Sequence, residues 1–151
     1  MIEAGERAPE FSLHDQDGKT WTLSGLLSDG PLVLYFYPAD FTPGCTKEAC
    51  SIRDMHDDIA EAGMRVVGIS PQDSDSHSRF ASRHNLPFTL LADPERVAVR
   101  AYGVDGPMGI GVRRATFLIG ADGIVQDSVL ADLRIGRHEA FIKAAIGANR
   151  G

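Results

Sequence analysis

The two cysteines of the sequence, Cys45 and Cys50, stand five positions apart in the stretch YFYPADFTPGCTKEAC. Thr42 and Pro43 form a strong start signal for a helix, because Thr is a good N-cap and Pro suits the first helical position. Cys45 then falls in the first turn, where unpaired backbone N–H groups and the helix dipole favour a thiolate over a thiol. Because the thiolate is the nucleophilic form, the pattern is typical of a reactive cysteine.

The spacing of the two cysteines limits how they can pair. On one intact helix their Cα atoms would lie ~8.7 Å apart, whereas a disulfide tolerates at most ~6.8 Å. A bond between Cys45 and Cys50 therefore requires the helix to unwind locally, which excludes a static staple and permits a transient disulfide.

Other interpretations of the two thiols stay open on the residues alone. Both cysteines can be inert, buried small residues. A metal site lacks ligands, because His56 adds at most a third ligand at poor spacing. The histidines are scattered without ligand spacing, and we predict no catalytic role for any of them. They are His14, His56, His77, His84 and His138.

Apolar runs and helical periodicity predict the elements that must position these cysteines. The continuous run PLVLYFY predicts a strand buried on both faces, directly before the cysteine segment. We expect a β-hairpin over 9–23, strands over 31–37, 64–70, 88–93, 114–120 and 124–130, and helices over 42–62, 74–85, 94–102 and 136–147. This order predicts an α/β fold with a mixed central sheet covered by helices on both faces, in a single domain over 1–151.

Composition narrows the classes of partner. With 15 basic and 21 acidic residues the net charge is −6, which argues against nucleic acid and anionic membranes as partners. The longest apolar run is far shorter than the ~20 residues of a membrane span. Two cysteines fit a reducing compartment, so we expect a cytoplasmic protein.

The cysteine stretch closely resembles the active-site segment of the peroxiredoxins, specifically the peroxiredoxin Q or bacterioferritin-comigratory protein subgroup. Pro38, Thr42 and Cys45 match the family pattern Pro-x-x-x-Thr-x-x-Cys, and Cys50 is the mark of the subgroup. The resemblance continues through APEFSLHDQDGKTWTLS, VVGIS, FTLLAD and RATFLIGADGIV. It implies a thioredoxin-like fold and a thiol peroxidase acting on hydrogen peroxide or organic hydroperoxides.

The resemblance also implies the roles of the two cysteines. Cys45 would be the peroxidatic cysteine, whose thiolate attacks the peroxide and becomes a sulfenic acid. Cys50 would resolve that sulfenic acid as an intramolecular disulfide, which thioredoxin or a glutaredoxin-type dithiol protein then reduces. No cofactor or metal is implied.

Further residues would support Cys45 by the same resemblance. Thr42 would orient the peroxide, and we expect its hydroxyl oxygen to accept an N-cap bond while its O–H stays free. Pro38 would shield the thiolate from water, and Phe41 would form a wall of the pocket.

An arginine would stabilise the thiolate and the transition state. The alignment of RATFLI selects Arg114, with Arg113 as the fallback. Glu48 would hold the arginine by a charge-assisted pair, or would belong to a solvated helix face.

A rival function is a thioredoxin-fold disulfide reductase, or a protein-binding module without peroxidase activity. A reductase favours Cys-x-x-Cys, whereas four residues separate Cys45 from Cys50 here. We expect a monomer and leave a dimer open.

Overall fold

The central strand, β3 (Leu32–Phe36), is buried along its whole length in the computed structural model, which describes residues 1–149 and the backbone of residue 150. It pairs in parallel with β4 (Arg65–Ser70) and antiparallel with β6 (Ala115–Ile119). Because both neighbours and both faces cover it, a continuous apolar run is the pattern that this position requires.

The remaining strands extend the sheet on both sides of β3. The predicted hairpin is present as β1 (Ser12–Asp15) and β2 (Thr20–Thr22), and β5 (Thr89–Ala92) and β7 (Val125–Leu130) complete the sheet. Over the described residues the sheet has seven strands in the order β2-β1-β5-β4-β3-β6-β7. The predicted mixed sheet is confirmed.

The helices differ from the prediction mainly at two short elements. The long ones are α2 (Pro43–Glu61), α3 (Ser74–His84) and α5 (Ile135–Arg150). A short helix α1 (Leu23–Leu26), which we did not predict, follows β2.

The helix predicted from Pro94 is wrong at its start, since α4 covers only Val97–Ala101. Its N-cap residue Arg96 has a φ of 59°, and the Asp93 carboxylate accepts the N–H groups of Val97 and Val99. The Gly/Pro-rich 104–112 segment contains one 3₁₀ turn, Pro107–Gly109.

Two apolar clusters lie on opposite faces of the sheet. Alternate residues of β3 point to each, as the two-residue period of a strand requires. Leu34 packs with residues of α1 and α4 on one face, and Val33 packs with residues of α2, α3 and α5 on the other. The prediction of helices on both faces is confirmed.

The register of the sheet brings distant parts of the sequence to one edge. Phe36, at the end of β3, lies opposite Ala115, at the start of β6. The residues that follow β3 and the residue that precedes β6 therefore meet where α2 begins, and α5 packs beside α2. Within the described part of the chain, no helix is long and apolar enough to cross a bilayer.

Candidate active site

Cys45 lies in the first turn of α2 and is only 1% exposed. Thr42 is the N-cap residue and Pro43 begins the helix, as the sequence predicts. Cys50 lies on the same unbroken helix, is half-buried, and both thiols are free. The structure therefore holds the two cysteines in the arrangement that their spacing predicts for an intact helix.

Arg114, the residue directly before β6, reaches across to the start of α2. Its Nη2 donates to Cys45 Sγ at 3.3 Å, and its Nη1 donates to Glu48 Oε1 at 2.8 Å. Its Nε donates to the Asp132 carbonyl oxygen at 3.4 Å. The guanidinium is buried, so its positive charge acts on the sulfur with little screening by water.

Arg113, the fallback, points elsewhere. Its Nη2 forms an ion pair with Asp132 Oδ2 at 2.8 Å, and both side chains are more than two-fifths exposed, at 43% and 45%. Successive residues of an extended chain face opposite sides, so only one of two adjacent arginines can reach Cys45. In this structure that arginine is Arg114.

Glu48 does not belong to a solvated helix face, and that alternative is wrong. Its side chain is 2% exposed and forms the buried ion pair with Arg114. Burial raises the pKa of Glu48 to about 7, and the attraction of Arg114 only partly opposes that rise. Among the described residues, Glu48 Oε2 has no hydrogen-bond donor.

His138 is a neighbour of this ion pair that sequence reasoning missed. It projects from α5, and its Nδ1 lies 3.6 Å from Glu48 Oε2. Its Nε2 contacts the Ala131 carbonyl oxygen at 2.9 Å, and its Nδ1 contacts Thr116 Oγ1 at 2.8 Å. Burial lowers the pKa of His138, so the ring is neutral, with Nε2–H donating to Ala131.

Thr42 departs from the expected geometry. Its hydroxyl does not cap the helix, and its O–H is not free, because Oγ1 donates to the Ala39 carbonyl oxygen at 3.1 Å. Phe41, between them, adopts a φ of 63°, which folds the chain back so that this bond can form. No side chain of the described residues therefore caps the first turn of α2 at Thr42, and the amides there stay available to a ligand.

Pro38 and Phe41 lie on the exposed side of the loop between β3 and α2. Pro38 is exposed, and Phe41 is half-exposed with its ring edge-to-face against Phe80 at a centroid separation of 5.2 Å. Phe41 also lines a surface groove together with residues of α3. Both residues are therefore beside the site, and neither makes a polar contact with Cys45.

A second buried cluster holds the same loop from its other side, and sequence reasoning missed this one too. The Asp40 carboxylate accepts from Tyr37 Oη at 2.7 Å, from Ser76 Oγ at 2.8 Å and from His77 Nδ1 at 2.6 Å. His77 Nε2 meets the Leu91 carbonyl oxygen at 3.1 Å. Both ring nitrogens of His77 therefore lie within hydrogen-bond distance of an oxygen acceptor.

The electrostatics of Asp40 follow from these donors. Burial alone would raise the pKa of Asp40, but the hydrogen bond and charge of His77, together with the hydrogen bonds from Tyr37 and Ser76, outweigh it and lower the pKa. The carboxylate thereby ties the loop before Cys45 to α3.

Gly44 is a further residue of the site that the sequence did not single out. A Cβ at this position would lie 3.1 Å from Arg114 Nη2. The absence of a side chain lets the guanidinium pass over the first turn of α2 and reach Cys45. The TPGC pattern carries this signal, because a glycine inside a helix has a cost that close packing can offset.

Among the described residues, no group of three or more His, Cys, Asp or Glu side chains is arranged to hold a metal ion. The site thus brings together Cys45, Arg114 and Glu48, with Thr42 beside them. Cys50 is on the same helix without contacting them.

Comparisons with known proteins place this geometry in a family. The model of the AhpC/TSA family matches residues 4–128. The chloroplastic peroxiredoxin Q of Populus jackii is 45% identical over 126 residues, which cover 83% of this chain and 59% of the relative. The chain thus spans about three-fifths of the length of that plant relative.

Solved structures agree over nearly the whole chain. The peroxidoxin BcpB of Mycobacterium tuberculosis superposes with a TM-score of 0.90 at 37% identity, covering 99% of this chain and 97% of that one. A bacterioferritin comigratory protein of Xanthomonas campestris gives a TM-score of 0.85 at 28% identity, covering 93% and 92%. Its structures were determined to understand alkyl peroxide reduction from trapped intermediate and ligand complexes.

Proposed function

The chain belongs to the AhpC/TSA family of peroxiredoxins, and from that premise we propose that it is a thiol peroxidase with Cys45 as the peroxidatic residue. The observation that carries the proposal is the 3.3 Å contact between Arg114 Nη2 and Cys45 Sγ in the first turn of α2. A buried guanidinium and a helix N-terminus both stabilise a thiolate, which an inert cysteine does not need.

The first step is attack of the Cys45 thiolate on the nearer peroxide oxygen. An S–O bond forms, the O–O bond breaks, and the other oxygen takes a proton and leaves as water or an alcohol. The sulfur is oxidised to a sulfenic acid. Negative charge develops on the leaving oxygen, and the Arg114 guanidinium with the uncapped amides of the first turn supplies fixed donors for it.

Thr42 and Pro38 have supporting roles in this proposal. The Thr42 hydroxyl orients the peroxide by exchanging its bond to Ala39 for one to substrate, a requirement that its observed geometry adds. Pro38 covers the thiolate from the solvent side of the loop.

Cys50 completes the catalytic cycle. Its thiol condenses with the sulfenic acid and releases water, giving a Cys45–Cys50 disulfide. On the intact helix the two residues are ~7.5 Å apart along the axis, so the turns between them must open first. The half-exposed position of Cys50 supports its access to a partner once this happens.

The finer assignments belong to the same proposal. The substrates are hydrogen peroxide and alkyl hydroperoxides, the latter supported by the Xanthomonas relative. Thioredoxin or a glutaredoxin-type protein is the reductant, which steady-state assays with each reductant test. The protein acts as a monomer that forms one domain over residues 1–151, and light scattering tests the monomer. It functions in the cytoplasm, which cell fractionation tests.

Two serine variants test the central claim. Cys45→Ser should abolish peroxide consumption, and Cys50→Ser should react once and then stall with thioredoxin, because no disulfide forms. Mass spectrometry after one equivalent of peroxide should find a loss of two hydrogens mapped to Cys45 and Cys50 in the parent. Turnover by Cys45→Ser at the parental rate would contradict the proposal, and persistent free thiols would favour a binding module.

A further inference from the structure

One carboxylate oxygen in the wall of the site, Glu48 Oε2, has a hydrogen-bond acceptor as its neighbour where a donor would be needed. His138 Nε2 donates to the Ala131 carbonyl, so the neutral ring presents a lone pair at Nδ1. Thr116 Oγ1 supplies its hydrogen to that same Nδ1 at 2.8 Å. Glu48 Oε2, 3.6 Å from Nδ1, receives nothing from any described residue. An ionised Glu48 therefore leaves a buried, charged oxygen unpaired, which costs free energy, whereas protonation of Glu48 removes that charge.

The charged and titratable groups around Glu48 come from several elements of the fold. Glu48 shares α2 with Cys45, and it faces Arg114 from the residue before β6 and His138 from α5. From β3 it faces the buried phenol of Tyr35, whose pKa is raised well above its usual value by burial and then by Glu48 itself. Arg137 and Asp132 act on His138 with opposite signs.

Arg114 thus serves two acids at once. Its guanidinium contacts both Cys45 and Glu48, so one positive charge is shared between two groups that can each become negative. Two anions on one buried cation are unfavourable, and such coupled acids lose their protons in turn.

We propose that Glu48 stores the proton that Cys45 gives up, so that the resting site holds a thiolate, the Arg114 cation and a protonated Glu48. This inference rests on the peroxidase function proposed above and adds a proton acceptor to it. Burial, which raises the pKa of Glu48 to about 7, keeps that proton available near neutral pH.

The proton held on Glu48 balances the first step of the reaction. Thiolate and ROOH give sulfenic acid and RO⁻, and the leaving oxygen needs one proton. Oxidation removes the negative charge of the sulfur, so Arg114 is left with Glu48 as its counter-ion, and Glu48 releases its proton. The sum, thiolate plus Glu–COOH plus ROOH giving sulfenic acid plus Glu–COO⁻ plus ROH, takes no proton from the buffer.

A proton count during one turnover tests this. In a Cys50→Ser background, which stops the reaction at the sulfenic acid, peroxide is mixed with protein at a pH well below 7, where Glu48 is mostly protonated, and a pH indicator follows proton uptake. The ultraviolet absorbance of the thiolate first establishes that Cys45 is ionised. We expect no net uptake with Glu48 present and one proton per sulfenic acid with Glu48→Gln. Glu139→Gln, a surface acid on α5 paired with Lys143, is the matched control and should behave like the parent.

The alternative makes different predictions. If Glu48 only holds Arg114 in place, the parent takes up one proton while Cys45 is ionised, and Glu48→Gln moves the midpoint of the thiolate titration to higher pH. Our proposal leaves that midpoint nearly unchanged, because Gln is neutral like the protonated Glu48 of the resting site. Infrared difference spectra supply a readout that does not need the variant, because oxidation should remove a protonated-carboxyl band. Peroxide consumed with one proton taken up would overturn the inference alone, whereas no consumption of peroxide would overturn the function.

Discussion

Two buried carboxylate–histidine pairs flank the loop and helix that carry Cys45, and they are built in opposite ways. Asp40 has a donor on each oxygen and the His77 ring at 2.6 Å, and its pKa is lowered because those bonds together outweigh burial. Glu48 has a donor on one oxygen, faces a neutral histidine at 3.6 Å, and burial raises its pKa to about 7.

The difference lies in hydrogen bonding and not in residue type. A fully satisfied pair keeps one protonation state and fixes the position of the loop. A half-satisfied pair next to a shared cation can change its protonation state at a small cost, and it lies beside the reactive sulfur. Function is therefore expected where the polar network is left incomplete.

The largest expected effect comes from removing the cation of the Glu48 cluster. Arg114→Met should lower the rate of Cys45 oxidation by ~10²–10³-fold, because a fixed donor to the developing charge is lost. Arg113→Gln, which breaks only an exposed pair, should leave that rate unchanged and cost less than about 1 kcal/mol of stability. Stopped-flow peroxide kinetics and denaturant unfolding measure the two. Equal rate losses in both variants would remove the distinction between the adjacent arginines.

The free energy of unfolding should depend on pH differently through Glu48 and through Asp40. Because the pKa of Glu48 is raised from 4.5 to about 7 in the folded state, the folded protein holds an extra proton between these values. Its contribution to stability is fully present below pH 4.5 and is lost as pH rises through about 7, at up to about 1.4 kcal/mol per pH unit. Urea unfolding of the reduced protein across this range measures the slope, and Glu48→Gln should flatten it.

Asp40 should contribute a pH dependence of stability of the opposite sign to that of Glu48. Because its pKa is lowered in the folded state, its stabilisation is present above the ordinary value of 3.8 and is lost as pH falls through the folded pKa. Asp40→Asn should remove this acid-side loss and lower the free energy of unfolding at neutral pH by about 1–3 kcal/mol, since one of the two acceptor oxygens becomes an NH2 group that faces buried donors. If Asp40→Asn instead flattened the slope between pH 4.5 and 7, the assignment of the two carboxylates would be reversed.

The smallest expected effect tests how closely Arg114 must approach. Gly44→Ala places a Cβ 3.1 Å from Nη2, so the guanidinium must shift, at a cost of about 0.5–1.5 kcal/mol if its torsions leave their rotamer wells. We expect a several-fold slower oxidation of Cys45, measured by the same stopped-flow assay. Gly147→Ala in α5, with open space around its Cα, should keep the rate and stabilise the helix. An unchanged rate in Gly44→Ala would show that the guanidinium tolerates displacement.

Local signals predicted much of the fold and part of the site. The apolar run of β3 and the Thr42–Pro43 start of α2 are encoded within a few residues, so their positions follow from the sequence. The choice of Arg114 over Arg113 came from a family pattern, and the register of β3 against β6 supplies its physical reason.

The two histidines were missed because their partners are distant in sequence. His138 meets Glu48 only after α5 packs on α2, and His77 meets Asp40 only after α3 packs on the sheet. A signal was nevertheless present, because His138 precedes buried Ile142 and Ile146 at helical spacing. A histidine within an apolar stripe of a helix is buried and needs a partner.

The hydroxyl of Thr42 that bonds backward to Ala39 has a consequence for the whole cycle. A side-chain cap typically contributes ~1 kcal/mol to a helix, and α2 lacks one at the end where its two thiols lie. The first turns of α2 must unwind before the two sulfur atoms can bond, and they lack a side-chain cap, while the rest of the 19-residue helix stays packed in the core. The absent cap leaves backbone amides free to bind substrate, and it lowers the free-energy cost of unwinding the helix for the Cys45–Cys50 disulfide.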